Sequence, residues 1–109
     1  MKVFGFTLDL RDDPGRVKAY IHHHQNVWPE VIASIRKSGI YSMEIYQYNT
    51  RLFMRIETTD DFTFEHKAKL DANNPAVQEW EELMWRYQAK IEGSNPGEKW
   101  VRMDRIFDL

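Results

Sequence analysis

Tyr20, His24 and Trp28 stand at four-residue steps, immediately ahead of Pro29. On an α-helix, side chains four apart lie one above another on the same face. A phenol, an imidazole and an indole in that pattern give an aromatic wall with a group that titrates near neutrality. Such a wall suits a small polar ring that must be both held and relieved of a proton. The helix has to break or restart at Pro29, which lacks a backbone donor. That interruption opens space beside His24.

The neighbouring histidines invite a metal reading, which their spacing opposes. Consecutive residues on a helix point about 100° apart, so His22, His23 and His24 cannot chelate one ion together. No HExxH-type pair exists either. Two solvated histidines and one inward-facing His24 are expected, with no metal. A lone histidine on an apolar face is more often structural than catalytic, and Tyr20 alone fits a core equally well. The three aromatic positions taken together are what favour chemistry.

Other candidates are weaker. Trp80 lies on an apolar helix stripe, whereas Trp85, five residues on, is rotated away, so the two cannot face one pocket. Glu44 sits among apolar neighbours of a strand, and Arg55 and Glu57 share one strand face and can pair. No G-x-S-x-G nucleophile elbow occurs. The five glycines are scattered, so there is no phosphate-cradling loop.

These groups must be positioned by a single domain spanning residues 1–109. Hydrophobic residues make up 42% and charged residues 29%, with a net charge of -2 and both signs interspersed. A nucleic-acid partner would call for a basic face, which is lacking. There is no cysteine, hence no disulfide, thiolate nucleophile or Cys-ligated zinc. Neither a secretory signal nor a membrane span is visible, so a cytoplasmic protein without membrane contact is expected. Four tryptophans, five tyrosines and six phenylalanines exceed what a small core needs, and the surplus is expected at a pocket or a subunit interface.

Val3 to Leu10 alternates as a strand, with Phe4, Phe6, Leu8 and Leu10 on one face. Asp13 and Pro14 cap and start a helix in which Val17, Tyr20, Ile21 and His24 fall at helical spacing. A second helical segment runs from Pro29 to Ser38, with Val31, Ile32 and Ile35 inward, and stops at Gly39. Ile40 to Tyr48 and Leu52 to Thr58 form a hairpin through Asn49-Thr50-Arg51. Asp60 and Asp61 cap a short helix to about Leu70. A stronger helix covers Pro75 to Glu92 with Val77, Trp80, Met84 and Tyr87 as its stripe. Trp100 to Leu109 alternates as a last strand. The order β-α-β-β-α-β predicts an α+β, ferredoxin-like sandwich: an antiparallel sheet with helices on one face. The other face, part apolar, needs a second subunit, a ligand pocket or both.

Tyr20-x3-His24-x3-Trp28-Pro29-Glu30, the Gly39 to Tyr46 strand, Val77-Gln78-Glu79-Trp80 with Met84, and the ending Met103 to Leu109 carry a resemblance over nearly the whole chain. Together they resemble the L-rhamnose mutarotase family. The resemblance implies a dimeric α+β barrel, in which two such sheets pack face to face as a homodimer. It also implies interconversion of the α and β pyranose anomers of a 6-deoxy-L-sugar, with a monosaccharide as partner and no cofactor. On it, His24 is the acid–base residue, Tyr20 the accompanying tyrosine, and Trp28 and Trp80 the substrate wall. Two positions depart from the pattern. Met43 stands where the family has a strand tyrosine, with Tyr41 two residues earlier as a possible substitute. Glu81 replaces the second tryptophan of a Trp-Trp pair. Both would change sugar contacts more than proton chemistry, which points to a branch for a related sugar such as L-fucose.

Two other readings fit the same elements. Cofactor-independent monooxygenases of the dimeric α+β barrel type would also use an aromatic pocket and a histidine. A non-catalytic sugar-binding module would keep the fold and give His24 no chemistry.

Overall fold

The computed structural model describes residues 1–109. Its sheet is built on β1 (Lys2–Leu10), where alternation separates a buried face of Phe6, Leu8 and Leu10 from a face carrying Thr7 and Asp9. β3 (Arg51–Thr58) runs antiparallel beside it and matches the pattern: Leu8 lies opposite Leu52, Phe6 opposite Met54 and Phe4 opposite Ile56. β2 (Ile40–Tyr48) pairs with the far edge of β3 across a hairpin that reverses at Asn49, whose φ is 52°. The second edge of β1 is shared by two short strands in series, β4 (Gln88–Ala89) opposite Asp9 and Leu10, and β5 (Val101–Met103) opposite Gly5 to Thr7. The order β2-β3-β1-β4, all antiparallel, is ferredoxin-like, as the element pattern implies.

Helices α1 (Pro14–His24), α2 (Pro29–Lys37), α3 (Phe64–Ala72) and α4 (Pro75–Trp85) belong to the other layer. Asp13 caps α1, accepting from the Gly15 amide at 3.0 Å, and Asn74 caps α4 through the amides of Ala76 and Val77. Pro14, Pro29 and Pro75 occupy first-turn positions, where their missing donors cost nothing. Behind α2, Gly39 adopts φ +103° and a Cβ there would meet Thr59 Oγ1 at 2.9 Å, so only glycine fits this reversal into β2. Two apolar clusters fill the space between the layers. One gathers Leu8, Leu10, Tyr20, Val31, Leu52, Trp80 and Met84, and the other Phe6, Ile40, Met54, Ile56 and Phe62.

Several elements differ from the expectation set by their local sequence. Thr63, not Asp60 or Asp61, caps α3, because Asp60 is taken by the chain's own amino terminus and Asp61 by Thr59. Ile21 and Ile32 are exposed; the buried positions of α1 and α2 are Tyr20, Val31 and Ser34. α4 ends at Trp85 rather than Glu92, because Gln88 and Ala89 are drawn into pairing with β1. Tyr87 therefore leaves the helix stripe. The last strand is confined to Val101–Met103, and beyond it Ile106, Phe107 and Leu109 are exposed. No helix is long and apolar enough to cross a membrane.

Candidate active site

A cavity of about 550 Å³ lies between the helices and the sheet, bounded by members of both apolar clusters. Met43, Ile45 and Met54 supply part of its apolar wall from the sheet. α1 contributes Tyr20 and His24, α4 contributes Trp80 and Glu81, and α3 contributes Lys67 and Asp71. Apolar walls with a few convergent polar groups are what a small ligand site requires.

Helical spacing puts His24 one turn beyond Tyr20, and their rings lie 4.3 Å apart. His24 Nδ1 is 2.9 Å from the Tyr20 backbone carbonyl. A carbonyl only accepts, so Nδ1 must carry the hydrogen. In the neutral ring the lone pair is then on Nε2, for which the protein provides no hydrogen-bond partner. Burial pushes the imidazole below its ordinary 6.5, against the carbonyl bond that favours the cation, and nearby His23 lowers it further. At neutral pH His24 is an uncharged base.

The Tyr20 side chain is 3% exposed. The Gln88 amide nitrogen approaches its hydroxyl oxygen at 3.5 Å, which leaves the phenol hydrogen free to donate. Burial raises the phenol to about 12, only partly offset by Gln88, so Tyr20 stays protonated at any physiological pH. The side chain thus serves as a donor, while the same residue's carbonyl orients His24.

The residues expected from sequence divide clearly. Tyr20, His24, Met43, Trp80 and Glu81 line the cavity together. Trp28 does not. It packs edge-on against Trp80, ring centres 5.2 Å apart, and supports that wall from behind. Tyr41 also stays out of the main cavity: a register shift between Ile40 and Ser42 leaves it unpaired on β3, and its hydroxyl contacts Met1 Sδ at 2.8 Å. It borders a smaller cavity of about 410 Å³ that shares His24 and Met43. Tyr41 thus reaches His24 and Met43 only from the side of this smaller cavity. Trp85 is likewise away from the cavity, under the Lys99 ammonium at 5.2 Å. His23 is not simply solvated, since its Nε2 lies 3.2 Å from the Tyr87 hydroxyl.

Sequence reasoning missed Gln88, Lys67, Asp71, Lys99 and Trp100, all on the cavity wall. Gln88 was hidden by the overextended helix. Lys67 and Asp71 look like an ordinary i,i+4 surface pair, and only the docking of α3 turns them inward. Glu44, Arg55 and Glu57 form an ion cluster, with Arg55 to Glu57 at 2.7 Å and to Glu44 at 3.7 Å, but on the sheet face opposite the cavity.

Comparison with known proteins supplies the family. The L-rhamnose mutarotase family profile matches residues 3–109. An L-fucose mutarotase from Xanthomonas campestris pv. campestris is 43% identical over 106 residues, covering 95% of this chain and 85% of that protein. An L-rhamnose mutarotase from Rhizobium johnstonii is 28% identical, covering 86% and 83%. Among solved structures, the L-rhamnose mutarotase FA22100 from Formosa agariphila superposes with a TM-score of 0.74 at 20% identity, covering 100% of this chain and 99% of that one. Tetracenomycin F2 cyclase from Streptomyces glaucescens shares the fold at a TM-score of 0.61 and 15% identity. With its profile matched almost end to end, the chain belongs to the L-rhamnose mutarotase family.

Proposed function

We propose that this protein interconverts the α and β pyranose anomers of a 6-deoxy-L-hexose, preferring L-fucose, with His24 and Tyr20 exchanging the protons. The observation that carries the reading is the fixed tautomer of His24 in a cavity walled by Trp80. His24 Nε2 takes the proton of the anomeric hydroxyl O1. The C1–O5 bond breaks, its electron pair going to O5, and Tyr20 donates the phenol proton there. The open-chain aldehyde rotates about C1–C2 and the O5 hydroxyl closes on the other carbonyl face. O5 returns its proton to Tyr20 while O1 takes one from His24, so both residues end as they began. Such paired acid–base assistance contributes roughly 10²–10⁴ in rate, and no cofactor is needed.

The cavity suits the sugar class. A 6-deoxy sugar presents a methyl where other hexoses carry a hydroxyl, and Met43, Ile45 and Met54 offer it an apolar wall. The preference for L-fucose rests on the 43% identity to an L-fucose mutarotase against 28% to an L-rhamnose mutarotase, and on Met43 and Glu81 as altered contacts. NMR saturation transfer between anomers, with a protein-free control, tests the reading. Faster exchange of L-fucose than of L-rhamnose is expected, and no acceleration of either sugar would overturn it.

The functional unit is proposed to be a homodimer built on the open sheet face. Tyr46 is 55% exposed and Phe53 38%, and these rings stack on each other on the face that also carries Met103, 46% exposed. Exposed apolar surface of this kind on a sheet is relieved by a second copy.

A further inference from the structure

The cavity holds one charged pair that the anomeric chemistry does not use. Lys67 Nζ and Asp71 Oδ2 are 2.5 Å apart, four residues apart along α3. Their side chains are 26% and 16% exposed, the most enclosed ion pair in the molecule, and both line the cavity. One carboxylate oxygen, Asp71 Oδ1, makes no hydrogen bond within the protein, and the ammonium has two further hydrogens to give. A carboxylate and an ammonium side by side match a vicinal diol: one hydroxyl donates to the acid while its neighbour accepts from the base.

Placement along the cavity selects which hydroxyls are met. His24 stacks on Tyr20 of the first apolar cluster, whereas α3 is anchored by Phe64, which packs against the second. In a pyranose, C4 lies across the ring from C1. A pyranose with C1 at His24 and its far side towards α3 presents its hydroxyls on C3 and C4 to the pair.

We propose that Lys67 and Asp71 read the 4-hydroxyl of the sugar together with its 3-hydroxyl, and so set which 6-deoxy-L-hexose is accepted. This rests on the mutarotase reading and deepens it. L-Fucose and L-rhamnose have opposite configurations at both C2 and C4, and a pair at the α3 end reads the difference at C4. A hydroxyl turned away from the pair leaves charged groups without their partner, and a charged hydrogen bond lost in this way corresponds to roughly 10–10²-fold.

The discriminating probe is 6-deoxy-L-glucose, which differs from L-fucose only at C4 and from L-rhamnose only at C2. Wild type is expected to exchange L-fucose anomers roughly 10–10²-fold more efficiently than those of 6-deoxy-L-glucose, and 6-deoxy-L-glucose about as well as L-rhamnose. Asp71→Asn keeps the shape of the side chain and should lower L-fucose efficiency towards that of 6-deoxy-L-glucose, chiefly through KM. Lys67→Met should narrow the ratio as well. Titrating the quenching of tryptophan fluorescence with each sugar reads the same preference in binding alone, and circular dichroism verifies the fold. If wild type accelerates exchange but the C4 ratio is near one, or both variants leave it intact, the subsite is wrong and the mutarotase reading stands. If wild type accelerates no sugar, both fall.

Discussion

The backbone carbonyl of Tyr20 accepts the Nδ1 hydrogen of His24 at 2.9 Å, so the helix that carries the imidazole also chooses its tautomer. No separate carboxylate is needed to orient the ring. Because the partner is main chain, substitution of the Tyr20 side chain can alter proton donation without releasing His24.

His24→Ala is expected to reduce enzymatic anomer exchange by roughly 10²–10⁴, the range for removing a general acid–base group. Thermal unfolding should change little by comparison, since the ring is only half-buried. Saturation-transfer rates beside a melting curve check both parts, and retention of full exchange would remove His24 from the chemistry.

The pH profile should follow the lowered imidazole. The folded-state pKa lies below 6.5, so the neutral base persists as pH falls past that value, and exchange declines only at lower pH. Stability shifts in the same direction. The unfolded chain binds this proton first, so the stability linked to neutral His24 is complete above 6.5 and is lost as pH falls through the folded value. Activity and chemical denaturation measured from pH 7 down to 4 would show both.

Tyr20→Phe should slow exchange while leaving the His24–carbonyl bond in place. Its second signature is alkaline. The native phenol ionises near 12 and an unfolded one near 10, so stability is complete below 10 and is lost as pH rises towards 12. At about 1.4 kcal/mol per unit, the loss approaches roughly 3 kcal/mol. The variant should lack that slope, which denaturant titrations at pH 9, 10 and 11 would reveal.

Gly39→Ala is expected to destabilise the protein by roughly 1–3 kcal/mol, because φ +103° strains any side chain and the new methyl meets Thr59 Oγ1 at 2.9 Å. A lowered denaturant midpoint with unchanged slope is the result anticipated. An unchanged midpoint would mean that this reversal relaxes freely.

Phe53→Arg replaces the β3 ring of the exposed Tyr46–Phe53 stack with a charge, on the sheet face turned away from the cavity. Analytical ultracentrifugation should find wild type dimeric and the variant monomeric. A monomeric wild type would remove the proposed interface.

What was legible from sequence is what short-range periodicity encodes. Phe6, Leu8 and Leu10 announce β1, and Asp13 with Pro14 announces α1 within a residue. Tyr20, His24 and Trp80 were found because helical spacing stacks them or puts them on an apolar stripe. The failures come from long-range pairing. Nothing local ends α4 at Trp85, since Arg86 to Lys90 carries no strong breaker; the open edge of β1 overrides helix propensity there and brings Gln88 behind Tyr20. A related effect moves Tyr41 from the main cavity to the smaller one, as a bulge next to Ile40 breaks the strand alternation that would group it with Met43.

The two strands in series along β1 leave residues 90–100 as a span fastened at both ends to the same edge, and Gly97, Lys99 and Trp100 of that span border the cavity. This part of the rim thus rests on β1 only through the short pairings at its two ends, apart from the β1–β3 register that backs the rest of the cavity.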